Sequence, residues 1–269
     1  MRKLFLAILI SAIGVTARSQ SDSTFGRLRT ITGDIRAFTV DNLDNVYLLN
    51  SSNQLKKLNS NGDSAAIFND VKKYGQATLV DVSNPLKVLL YFRDFATIVV
   101  LDRFFNIRNS IDLRKTDILQ VRAIGQSYDN RIWLYDEMEN KLKKIDEDGK
   151  ILLETPDFRQ LFTRAPAPQK IFDQDQLVYL YDSAQGVFVF DYYGALKNRI
   201  QITGWENFKV AGKFIFGSKG NKLYRYDIRT FRVEEYDMPE TLYGSRSFNF
   251  SGSRLYALKN DTIEIYNFQ

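Results

Sequence analysis

Four short acidic clusters are the residues of this chain whose types and spacing best suit chemistry: Asp136-Glu137-Glu139, Glu147-Asp148, Asp173-Asp175 and Glu234-Glu235. Two carboxyl groups facing each other across a bond suffice for glycoside cleavage, one as acid and the other as base or nucleophile. Other routes are closed by composition, because the 269 residues include His 0 and Cys 0. Ser-His-Asp triads, Cys-His pairs and imidazole-bound zinc are thereby removed. No Gly-rich phosphate loop is evident. Each acidic cluster falls in a turn or at a strand end, where solvated charge is the ordinary outcome. The expectation is therefore no catalytic residue, no metal and no cofactor.

A second set of charged residues is basic. Arg36, Arg122, Lys170, Lys209 and Arg246 recur at or near one position of a long repeat, at the start of what reads as the first strand of each unit. If those strands converge on a common axis, the five side chains form a ring that attracts an anionic ligand or an acidic peptide. A one-residue slip in register would turn any of them to the opposite face. Two loops interrupt the repeat and are expected to bind a partner. One carries Arg93 and Phe95, the other Phe158, Phe162 and Arg164. Aromatic residues with Arg anchor protein interfaces, although the same rings would also serve to cover the gap between two units.

The elements that must position these residues are legible in a phrase that recurs six times: a hydrophobic residue, two variable ones, a second hydrophobic residue, then Asp or Asn. It ends at Asn59, Asp102, Asp146, Asp191, Asp227 and Asn267, and each copy follows an apolar run such as Val46-Tyr47-Leu48 or Ile132-Trp133-Leu134. A period of roughly 40 residues built from strands predicts an all-β propeller. In the first unit, Ile35 to Val40 reads as the inner strand, then Val46 to Leu49, Leu55 to Leu58 and an outer strand Ala65 to Phe68. Further units run from about Gln76 to Leu113, Val121 to Leu153, Gln169 to Ile202 and Asn207 to Tyr236, and the sixth begins near Ser247.

The sixth unit ends after its third strand. Thr24 to Ile31, with Phe25, Leu28 and Ile31 spaced among polar residues, is the expected donor of the missing strand. Its addition would close the ring and cover a sheet edge. The repeated Asp and Asn have two readings. Carboxylates bind hard cations, but equivalent positions in six units lie too far apart to share an ion. Their place before a turn predicts Asx-type hydrogen bonds to nearby backbone N–H groups.

The third unit, Asp129-Asn130-Arg131-Ile132-Trp133-Leu134-Tyr135-Asp136 followed by Asn140 to Lys150, resembles the NHL repeat and its six-bladed relatives. The resemblance covers six units in outline, and most closely the first and third. It implies a six-bladed β-propeller that binds something on one face, some relatives being enzymes, and it carries no active site across. In the second unit the turn Arg103-Phe104-Phe105-Asn106 departs from the Gly-containing pattern of the first, third and fourth.

Arg2 and Lys3, the apolar stretch Leu4 to Val15 and the small residue Ala17 predict a signal peptide over residues 1–17, followed by one domain over residues 24–269. The apolar stretch is too short for a bilayer, which needs about 20 residues. Export puts the mature chain in a periplasmic or extracellular space, and cleavage after Ala17 lowers the formal charge of +5 to +3. So mild and interspersed a charge, in a protein kept from nucleic acid, excludes a nucleic-acid partner. The sequence thus predicts an exported, non-catalytic propeller that binds another envelope or secreted protein as a scaffold. The alternatives are an enzyme using carboxylates in the central funnel and an anion-binding sensor.

Overall fold

The computed structural model describes residues 25–268. The expected signal peptide, residues 1–17, lies outside the described residues. The two apolar runs of each unit form its two middle strands. Val46–Leu49 is buried throughout, and so are Lys87–Phe92 and Ile132–Asp136. Short continuous apolar runs of this kind suit strands covered on both faces. The outer strands, Ser64–Phe68 and Val233–Asp237 among them, alternate between exposed and covered residues because they lie at the rim.

The strands make six four-stranded antiparallel sheets, five of them in plain sequence order. Their first strands are Ala37–Val40, Leu79–Asn84, Val121–Gln126, Lys170–Gln174, Glu206–Ala211 and Ser247–Ser251. Each packs beside the next, and Ser247–Ser251 returns to Ala37–Val40, so the six first strands enclose an axis. Six separate hydrophobic clusters fill the gaps between consecutive sheets; Tyr47 and Leu90 meet in one, Leu48 and Tyr256 in another. The architecture is a six-bladed β-propeller.

Closure occurs where the strand count demanded it. Arg27–Thr32 adds to Thr262–Asn267, with Arg29 opposite Ile265 and Ile31 opposite Ile263. The strand begins later than expected because Phe25 turns inward and packs on Phe268, ring centroids 5.6 Å apart.

Topology fixes what each face of the ring carries. Strands one and three of a blade run one way, two and four the other. Turns between second and third strands therefore share one face with the connections between blades. Both repeat-breaking loops lie on that face, which is called the loop face below. Its connections include two single-turn helices not expected from sequence, Val71–Tyr74 and Phe158–Leu161. On the opposite face, the blade-two turn takes the same form as its counterparts. Phe105 adopts φ 69° where Gly62, Gly149 and Gly194 have φ 93°, 85° and 82°, and Ile107–Asp112 pairs normally beyond it. The left-handed conformation disfavours a side chain by about 1–2 kcal/mol, and the burial of Phe105 against Tyr47 offsets that cost.

Candidate functional site

The first strands surround a channel of about 1260 Å³. Its wall includes Arg36, Gln76 and Arg246 at the loop-face end of the strands and Asn42, Ser83 and Gly252 at the other, so it runs from face to face. Four cations, Arg36, Lys170, Lys209 and Arg246, line it beside four carboxylates, Asp41, Asp81, Asp173 and Glu206. The wall is therefore balanced in charge rather than uniformly basic.

The five basic residues singled out from the repeat take different positions. Arg36 and Arg246 stand at the mouth. Arg36 stands against the Gln76 amide, whose oxygen accepts from the guanidinium with the amide turned toward it, and Arg246 donates to the Ile35 carbonyl at 2.9 Å and to Asp261 at 3.0 Å. Arg122 does not line the channel; its guanidinium pairs with Glu137 in the neighbouring turn. Lys170 opens its strand and reaches into the channel, where its ammonium has no hydrogen bond or ion pair among the described residues. Lys209 lies deeper than its expected place, because Glu206 opens the strand. Its Nζ donates to the Val40 carbonyl at 2.6 Å and to Asn249 Oδ1 at 3.1 Å, crossing from blade five to blades six and one.

Burial pushes the Lys209 ammonium down to about 8; Asp41, Asp81 and Asp44 oppose the shift and Lys170 adds to it. Burial also lowers Lys170, opposed by Asp81. Lys209 is half-buried among the strands of three blades, whereas the Lys170 side chain is exposed along the channel.

The carboxylates of the wall are mostly engaged in holding it together. Asp41 accepts from the backbone N–H groups of Leu43 and Asn45 at 2.8 and 2.9 Å, the Asn45 amide at 2.7 Å and the Tyr47 hydroxyl at 2.9 Å. Asp173 accepts from Ser127 Oγ and Trp133 Nε1, both at 3.0 Å, from Tyr192 OH at 2.6 Å and from the Tyr128 N–H at 3.3 Å. Asp81 accepts from the N–H groups of Ser83 and Gln126 at 2.7 and 2.6 Å, while burial pushes its carboxyl up. Sequence reasoning passed over Asp41, Asp81, Glu206 and Asn249. Their position on or beside the first strands of blades one, two, five and six is the signal that would have found them.

Three of the four acidic clusters are ion-paired, and Asp173-Asp175 makes no ion pair among the described residues. Asp136 and Lys143, 1% and 3% exposed, lie 2.8 Å apart, with Glu139 on the same ammonium at 2.7 Å. Glu147 meets the buried Lys87 at 2.8 Å, and Glu234 meets Arg225 at 2.6 Å. Nor do the repeated residues gather round an ion. Among the described residues, no group of three or more His, Cys, Asp or Glu is placed to hold a metal. Asp102 accepts from the N–H groups of Phe104 and Asn106 at 2.8 and 2.9 Å, and Asp146 from those of Asp148 and Lys150 at 3.0 and 2.9 Å. Asn59, Asp191 and Asp227 do the same in their own turns. Asn267 makes no such turn; it stands at the closure, its N–H donating to the Gly26 carbonyl at 2.9 Å.

The two loops divide. Phe158 is 0% exposed and stacks on Phe190, centroids 5.3 Å apart, while Phe162 packs edge-on against Phe188 at 5.1 Å. Both fill the gap between blades three and four. Arg93 and Arg164 are exposed, and Phe95 is 44% exposed beside the Gly75 backbone. The opposite face carries exposed rings of its own that sequence reasoning missed, Tyr128, Phe104, Phe231 and Tyr193, the last 88% exposed. No described helix is long and apolar enough to cross a membrane.

No family model and no curated protein matches the chain. Solved structures do. A streptogramin B lyase superposes with a TM-score of 0.61 at 14% identity, over 90% of this chain and 88% of that one. Virginiamycin B lyase from Staphylococcus aureus gives 0.60 at 16% identity, over 91% and 89%. The Pan2 WD40 domain of Neurospora crassa gives 0.63 at 11% identity, over 92% and 96%. These include enzymes and a WD40 domain, and at such identities the likeness shows the fold alone. The closed ring of six blades and these likenesses together place the chain among the six-bladed β-propellers.

Proposed function

We propose that the protein is an exported, non-catalytic propeller that binds another envelope or secreted protein as a scaffold module, using its loop face. The observation that carries this reading is the convergence on one face of the channel mouth, with Arg36 and Arg246, and the exposed Arg93, Phe95 and Arg164. Exposed aromatic and Arg side chains around a concave centre suit a protein interface. An acid–base reaction in the channel would draw on wall carboxylates, and Asp41, Asp81 and Asp173 each already hold several donors of the fold. That favours binding over chemistry.

The test is affinity capture from gently extracted envelope fractions, with the wild type and the double variant Arg93→Ser, Phe95→Ser. The expected result is a protein recovered by the wild type and lost by the variant at an unchanged Tm. Recovery of no protein, or equal recovery by both, contradicts the reading.

A further inference from the structure

We propose that Lys170 and Lys209 seat a carboxylate inside the channel, so that the ligand is an extended chain bearing acidic groups. This deepens the proposed function, and rests on it only for the carrier of the carboxylate: a segment of the partner protein rather than a free organic acid.

The observations concern which charges lack a counterpart. The Lys170 ammonium lines the channel with no hydrogen bond or ion pair among the described residues. Among the described residues Lys209 has two neutral oxygens within bonding distance, the Val40 carbonyl at 2.6 Å and Asn249 Oδ1 at 3.1 Å, and no carboxylate. The wall carboxylates nearest them already accept from other groups, Asp41 from a tyrosine hydroxyl, an amide and two N–H groups, Asp81 from two backbone N–H groups. An arriving carboxylate would supply what the two ammonium groups lack. Burial depresses the half-buried Lys209, against the pull of Asp41, Asp81 and Asp44 and with the push of Lys170; the exposed Lys170 shifts in the same direction, opposed by Asp81. A bound anion relieves that depression, so binding takes up protons.

The chemistry of the wall also selects the ligand. The two lysines of the wall are single ammonium groups, whereas the guanidinium forks that favour phosphate stand at the mouth with Gln76 and Asp261 as partners. The channel passes between both faces, and Val80, Phe172, Phe208 and Phe248 contribute apolar wall beside the charges. Such a bore takes a narrow chain of mixed polarity in preference to a compact anion.

The full exported protein is titrated calorimetrically with two probes, a blocked tetraglutamate peptide and citrate, at about pH 7 and about pH 9. Peptide binding is expected to weaken at the higher pH and to fall roughly tenfold or more in Lys170→Met, the loss of one charge-assisted contact. Lys170→Met removes no hydrogen bond of the fold, so it serves if Lys209→Met misfolds. Peptide binding with these dependences supports the proposal and the partner segment. Citrate binding alone, lost in Lys170→Met, supports the seat and removes the partner segment. Binding of neither probe, or peptide binding indifferent to Lys170→Met, overturns the proposal, the latter while leaving the protein-binding reading intact.

Discussion

Replacing Lys209 with Met should change how stability responds to pH. In the folded protein its ammonium is pushed down to about 8, against 10.5 for the free side chain, by burial first. The folded value lies below the unfolded one, so between the two the unfolded chain binds more protons and stability rises with pH. The cost of holding the charge is full below the folded pKa, about 3 kcal/mol for this shift, and is gone above the unfolded one. Between about pH 7.5 and about pH 9 the linkage relation releases about 1 kcal/mol of it. Tyrosines bias the measurement the other way, since burial raises Tyr179 and Tyr181 to about 12 and stability falls as their unfolded forms ionise near 10. Keeping to pH 9 and subtracting the variant cancels that contribution. Urea unfolding of wild type and Lys209→Met at both pH values reads the difference. The wild type should gain about 1 kcal/mol more than the variant over the interval. Equal slopes would mean that Lys209 is not desolvated in the channel, and would remove the electrostatic basis of its role there.

Lys143→Met leaves Asp136 buried without its counter-charge, and chemical denaturation should show a loss of about 3–5 kcal/mol. Gly125→Ala places a methyl group 2.8 Å from the Ile171 carbonyl oxygen, between the first strands of blades three and four; a lowered Tm equivalent to about 1–3 kcal/mol is expected. Asp146→Ala removes two turn hydrogen bonds and should cost about 1–2 kcal/mol by the same unfolding assay. Removal of residues through Thr32 bares the edge of Thr262–Asn267, and size-exclusion chromatography should show self-association beyond that of the full chain.

The fold was legible because its signal is repeated. Middle strands such as Val46–Leu49 are apolar on both faces, since a neighbouring blade covers each. A count of strands alone called for closure by the N-terminal segment. The Asp and Asn that end the first five phrases announced their turns, because a side-chain oxygen before a tight turn finds the same N–H groups in each of those blades. The channel was legible only in part. Arg122 and Lys209 occupy related repeat positions, yet one pairs with a Glu in its own blade and the other crosses to two further blades. Periodicity carries no information about a partner set by a side chain elsewhere in the ring. Phe158 and Phe162 show the same limit: a loop aromatic reads alike whether it meets a partner or plugs an inter-blade gap, and these two plug the gap. The exposed Tyr193 was hidden for the opposite reason, as it sits in a turn explained by Asp191 and Gly194.

The most direct test of the binding account is site-specific photocrosslinking in intact cells, with the probe residue placed at position 95 on the loop face and at position 193 on the opposite one. The account predicts a discrete protein adduct from position 95, diminished by Lys170→Met, and none of comparable yield from position 193. An adduct from position 193 alone, or none from either, would contradict it.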